Sequence, residues 1–140
     1  MRLSRKIVVI SVLCSASIFA KADVVVIVSA SSSISQLDGD QVSDIYLGKT
    51  ATFPDGSQAV PLELENGSEL RDEFHEKVTG KSKSQLKSYW SKMVFSGKGN
   101  PPKDVADVKE VLKLIGANPN MIGYIDKGSV DKTVKTVFAP

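Results

Sequence analysis

One cysteine, one histidine and one tryptophan occur in the 140 residues, and aromatic side chains make up only 6% of them. Each scarcity removes a class of answer. Cys14 has no second cysteine, so no disulfide within the chain braces the fold. His75 has neither a cysteine nor another histidine with which to complete a metal site. The run from Ile7 to Ala20 is too short, and too rich in serine, for a comfortable membrane span. Gly97-Lys98-Gly99-Asn100-Pro101-Pro102-Lys103 is glycine-rich but lacks the spacing and the closing Lys-Ser/Thr of a phosphate-binding P-loop. Glu63 and Glu65 share one face of a strand, yet no companion nucleophile accompanies them, and they read as solvated strand residues. No motif points to an enzyme or to a cofactor.

What the chain does have begins at its N-terminus. Arg2, Arg5 and Lys6 precede the apolar run, and Ala20-Lys21-Ala22 supplies a small-x-small cleavage pattern. Residues 1–22 therefore read as a secretory signal peptide and residues 23–140 as a single exported domain of 118 residues. Cys14 follows Ser11-Val12-Leu13, without the small residues that lipoprotein processing uses, and leaves with the leader. Residues 23–140 carry 14 basic and 16 acidic side chains, so the whole chain's formal charge of +2 becomes −2. A basic surface for nucleic acid is not indicated.

Val24 to Val28 is a continuous β-branched run, as in a strand buried on both faces. Ser31, Ser32 and Ser33 lie in the small polar loop that follows. Asp40 is placed to cap a short helix carrying Val42, Ile45 and Tyr46, with Gly48 at its end. After the turn Phe53-Pro54-Asp55-Gly56, the residues Val60, Leu62 and Leu64 alternate as a second strand, with Pro61 at an edge or a strand start. Leu70, Phe74 and Val78 mark a helix starting from Ser68 and stopping at Gly80. His75 lies off that stripe and reads as solvated. Leu86, Tyr89, Trp90, Met93 and Val94 form the core stripe of a second helix, closed by Gly97. The loop from Gly97 to Lys103 reads as a rigid helix connector whose lysines can face a partner. Val105, Val108, Val111, Leu112 and Ile115 predict a third helix, ended by Gly116 and Asn118-Pro119. Ile122 to Ile125 and Val134 to Phe138 are closing strands. Strands separated by helices predict a three-layer α/β domain with a small mixed sheet flanked by helices.

The segment Glu65-Asn66-Gly67-Ser68-Glu69-Leu70-Arg71 joins a strand end, a tight turn and a helix start. Backbone N–H groups and a hydroxyl converge there, as they do where a protein holds an oxyanion without a metal. Arg71 is near enough to pair with such an ion. The alternative is a plain helix cap, Ser68, with Arg71 solvated or paired with Glu69 or Asp72. Ser31 and Ser32 are candidates to add hydroxyls from the far side of such a site, or else belong to a polar connector.

Several pieces, in order, resemble the phosphate-type periplasmic substrate-binding proteins. They are Gln41-Val42-Ser43-Asp44-Ile45-Tyr46-Leu47-Gly48-Lys49, Phe53-Pro54-Asp55-Gly56, Val60-Pro61-Leu62-Glu63-Leu64, the Gly67-Ser68 turn with Arg71-Asp72-Glu73-Phe74, the stretch from Gly97 to Lys103, and Ile122-Gly123-Tyr124. The resemblance implies one lobe of a type II periplasmic-binding-protein fold, in a short single-domain relative. It also implies a ligand, inorganic phosphate or a similar oxyanion, at Asn66, Gly67, Ser68 and Arg71, and a transporter permease or an envelope sensor as partner. The sequence departs from that pattern at the turn. Leu64 stands where such proteins have an arginine, and Glu69 and Leu70 replace a Gly-Thr pair. A cation and a hydroxyl are lost, and a carboxylate arrives where an anion would dock. The competing reading is an envelope interaction or sensory module that kept the fold without the ligand and uses its exposed face for a homodimer or a membrane protein.

Overall fold

A computed structural model describes residues 23–140. The expected signal peptide, residues 1–22, lies outside the described residues. Five strands form one sheet in the order β3-β2-β4-β1-β5. β1 (Val24–Ser29) is buried at all six positions, as its unbroken β-branched run requires. It runs antiparallel to both neighbours, β4 (Met121–Asp126) and β5 (Val134–Phe138). β2 (Val60–Leu64) is parallel to β4 on one side and to β3 (Lys103–Val105) on the other. Pro61 sits at a strand start: β2 meets β4 at Val60 and Pro61, and β3 pairs only from Leu62 onward.

Helices cover both faces, giving the expected three layers. α4 (Val108–Ala117) packs on one face, closely enough that a Cβ at Gly123 would run into Ile115 Cδ1 and meet Val111. That close approach is why β4 carries a glycine there. α1 (Gly39–Tyr46) and α2 (Glu69–Phe74) cover the other face, where Phe74 stacks on Tyr124 at 4.1 Å between ring centroids and Tyr46 meets Phe74 edge-on. α3 (Lys83–Phe95) stands apart, on a satellite cluster of Leu47, Leu86 and Trp90 with Tyr89 and Met93 against it.

Four local expectations are corrected. The cap of α1 is Asp38, in a reciprocal capping box with Gln41, two residues before Asp40. Val105 belongs to β3, because Pro101-Pro102 favours extended backbone ahead of it and β2 offers an open ladder; Asp107 then caps α4. The stretch from Gly97 therefore leads into a strand rather than joining two helices. Val94 is half exposed instead of completing the α3 core stripe. Finally, α2 does not continue as α-helix to Gly80: residues His75–Thr79 form a π turn, closed by Gly80 in the left-handed conformation at φ 68°.

Candidate functional site

The sequence places a turn at the end of β2, and the structure shows how that turn is held. Ser68 N–H donates to the Glu65 carbonyl at 3.2 Å, and Gly67 takes φ 94°, which closes a tight turn that a side chain at Gly67 would strain. Ser68 Oγ then accepts from the Arg71 N–H at 3.3 Å and caps α2. β2 and β3 run parallel with Leu64 opposite Val105, so this turn and the Asp107 start of α4 lie side by side. Both helix starts occupy the end of the sheet where open α/β proteins place ligands.

Arg71 is not solvated. Its Nη1 donates to the Leu64 carbonyl at 2.7 Å and meets Asp104 Oδ1 at 3.3 Å, so the side chain folds back over the end of β2 and ties it to β3. Asn66 and Arg71 line a groove of about 830 Å³ between α2, α3 and the approach to β3, while Gly67 and Ser68 are not among its walls. The groove sets Arg71, Lys83 and Lys87 against Asp72 and Asp104, so both signs of charge meet at its walls. Glu69 is exposed and takes no hydrogen bond among the described residues.

Ser31 and Ser32 are not brought to this site. β1 is antiparallel to β4, with Val24 opposite Asp126 and Val28 opposite Ile122. β2 is parallel to β4, so the end of β1 lies at the opposite end of the sheet from the end of β2. Ser32 is buried and its Oγ accepts from the Ile34 N–H at 3.1 Å, while Ser31 Oγ lies 2.9 Å from Ser29 Oγ. The serine loop is a connector, bonded within itself, to Asp55 through the Ser33 hydroxyl, and to Lys135 through the Ser32 carbonyl.

The sequence also hid a polar cluster. Glu63 and His75, both read as solvated, are each 2% exposed and joined at 2.9 Å between Oε1 and Nε2. Beyond Pro61 and Ile122 the β2–β4 ladder parts, and two phenols fill the gap. Tyr46 O–H reaches the Leu62 carbonyl at 2.9 Å and the Ile122 carbonyl at 3.2 Å. Tyr124 O–H accepts from the Leu64 N–H at 3.1 Å and donates to Glu63 Oε1 at 2.7 Å. Burial, and after it the Glu63 charge, pushes both phenols well above their ordinary pKa, so they stay protonated donors. Thr79 Oγ1–H donates to the His75 carbonyl at 3.0 Å, which leaves Thr79 Oγ1 to accept from Nδ1–H, also at 3.0 Å. His75 Nε2 and Glu63 Oε1 close the cluster at 2.9 Å. The hydrogen-bond partners of the cluster are all internal, and only His75 reaches the wall of the groove that Asn66 and Arg71 line.

Neither the family models nor the curated proteins contain a sequence match to this chain. Solved structures do match. A protein described as a phosphate ABC transporter substrate-binding protein with bound phosphate, from Clostridium perfringens, superposes with a TM-score of 0.67 at 25% identity. The match covers 82% of this chain and 44% of that one. An ABC-type phosphate transport receptor from Vibrio cholerae gives 0.66 at 22% identity over 82% and 45%. PstS from Borrelia burgdorferi gives 0.62 at 14% over 82% and 46%. The chain thus spans less than half the length of the solved structures it matches. Over the matched residues its fold is that of a part of these phosphate-transport substrate-binding proteins.

Proposed function

We propose that residues 23–140 are an exported, periplasmic module of the substrate-binding type that takes phosphate or a similar oxyanion, weakly, at Asn66, Gly67, Ser68 and Arg71. The observation that carries this reading is the position of Arg71. Leu64 deprives the strand end of a cation, and the Arg71 guanidinium folds back onto the Leu64 carbonyl and restores one there. The turn beside it adds the first N–H groups of α2 and the Ser68 hydroxyl. A permease or an envelope sensor is the partner that fits a module of this kind, and residues 1–22 are its leader.

Isothermal titration of the chain from Asp23 onward with phosphate, and separately with sulfate, tests the ligand. Saturable one-to-one heat that disappears in Ser68→Ala/Arg71→Ala is expected. Flat heat at millimolar anion would sink the reading. Asp104→Asn sharpens the test, since Asp104 shares the Arg71 guanidinium at 3.3 Å; freeing that cation is expected to tighten anion binding severalfold.

The second reading, an envelope interaction module without a ligand, draws on the same pair. Arg71 already has a carboxylate, Asp104, 3.3 Å from its guanidinium. Asp104→Asn with no gain in anion affinity would favour it.

A further inference from the structure

Between Lys81 and Lys103 the chain carries six lysines and no carboxylate, while the remainder of residues 23–140 holds eight basic side chains against 16 acidic ones. α3 lies inside this stretch. It buries Leu86 and Trp90 toward Leu47, and its outer side presents Ser84, Lys87, Ser88, Ser91, Lys92 and Phe95, all exposed. At its C-terminal end Phe95 is 95% exposed and Val94 50%, the exposed large apolar side chains among the described residues. Lysines stand on both flanks of the helix: Lys83 and Lys87 border the groove, and Lys81 and Lys92 border a shallower hollow on the other side. The two acids across the groove are already matched, Asp72 by Lys83 at 3.6 Å and Asp104 by Arg71 at 3.3 Å. Lys87, Lys92, Lys98 and Lys103 take no ion pair among the described residues.

A solvated lysine face accounts for the charge, but not for a phenyl ring left bare at its end. A second copy brought up to this face would set lysines against lysines. An acidic peptide lying in the groove would meet Lys83, Lys87 and one side of Phe95 but leave Lys81 and Lys92, on the other flank, unused. A flat anionic surface meets both flanks at once and receives a protruding ring.

We propose that the outer face of α3 docks on an anionic lipid surface, with Phe95 entering the headgroup boundary and the flanking lysines neutralising lipid phosphates. The outer face of α3 meets Asn66 and Arg71 only across the groove and uses neither, so failure of anion titration leaves it standing.

The test is co-sedimentation of the chain from Asp23 onward, whose residues contain the whole sheet and core, with two kinds of vesicle. One is phosphatidylglycerol mixed with phosphatidylethanolamine; the other is phosphatidylcholine alone. Binding to the first only is expected, weakening by about tenfold or more on going to roughly half-molar salt. Lys87→Glu/Lys92→Glu is expected to abolish it, and Phe95→Ser to weaken it by about fivefold, consistent with losing one buried aromatic contact. All three substituted positions are exposed, and the emission of Trp90, the sole tryptophan, checks that each variant is folded. Absence of binding to anionic vesicles, equal binding to neutral ones, or full binding by both variants overturns the proposal. Saturable binding to soluble polyglutamate without binding to vesicles would give the face to an acidic protein and overturn it as well.

Discussion

β2 carries polar residues to two very different ends. Glu63 is sealed beneath α2 with His75 and Tyr124, while two residues later Glu65 opens an exposed turn whose bonds are mostly local. In the interior, each partner lost leaves another stranded in a place with no water to take over. At the rim, water replaces what a substitution removes. The difference teaches that neighbouring acids of one strand can belong to separate energy scales, set by the layer above them.

The strongest way to break this contrast is to remove one half of the buried pair. Glu63→Ala leaves His75 without its partner and is expected to cost about 3–5 kcal/mol in urea unfolding, the range for a broken buried pair. Glu63→Met/His75→Leu should recover part of that, because the two apolar groups need no partner while the Tyr124 O–H still loses its acceptor; a double variant as unstable as the single one would mean that the pair itself supplies net stability. Next comes Tyr46→Phe. It strips a donor from the buried Leu62 and Ile122 carbonyls and is expected to cost about 1–3 kcal/mol. At the rim, Ser68→Ala removes the cap of α2 and should cost about 1 kcal/mol by the same measurement. A loss there as large as that of Glu63→Ala would erase the distinction.

The smallest effect belongs to an outer loop. Hydrogen bonds from the Ser57 side chain and backbone, and then from Ser33, hold the Asp55 carboxyl below its ordinary pKa. A depressed folded-state value means that the carboxylate contributes stability above the usual carboxylate range and loses it as pH falls through the lowered value. The midpoint difference between the parent and Asp55→Asn should therefore shrink on acidification, and a difference constant from neutral to acid pH would refute the linkage.

Much of the architecture could be read from pattern. The β-branched run at Val24–Val28, the Val60-Leu62-Leu64 alternation and the Leu70-Phe74-Val78 spacing each report a buried face, and burial is what such patterns encode. β3 was invisible because Lys103-Asp104-Val105 is three residues long and carries no period. His75 and Glu63 were misjudged because their pairing depends on strand and helix meeting across 12 positions, and on a π turn that the residues of Leu70–Gly80 do not announce. Hydrophobic runs do not state strand direction, so the sequence leaves Ser31 and Ser32 open between the ligand end and a polar connector; the antiparallel β1–β4 pairing puts them at the far end of the sheet. At the site, the turn was legible in Asn66-Gly67-Ser68, whereas the engagement of Arg71 with Leu64 and Asp104 required the fold.

The place of β1 in the sheet bears on how the molecule is made. The first strand of the domain takes its seat only between β4 and β5, with Val24 waiting for Asp126 and Val26 for Phe138. Such distant pairings carry a large loop-closure cost and slow the search for the native state. A chain emerging from its N-terminus therefore holds its most apolar strand unpaired until β4 and β5 have followed, and the seating of β1 reports that both have arrived.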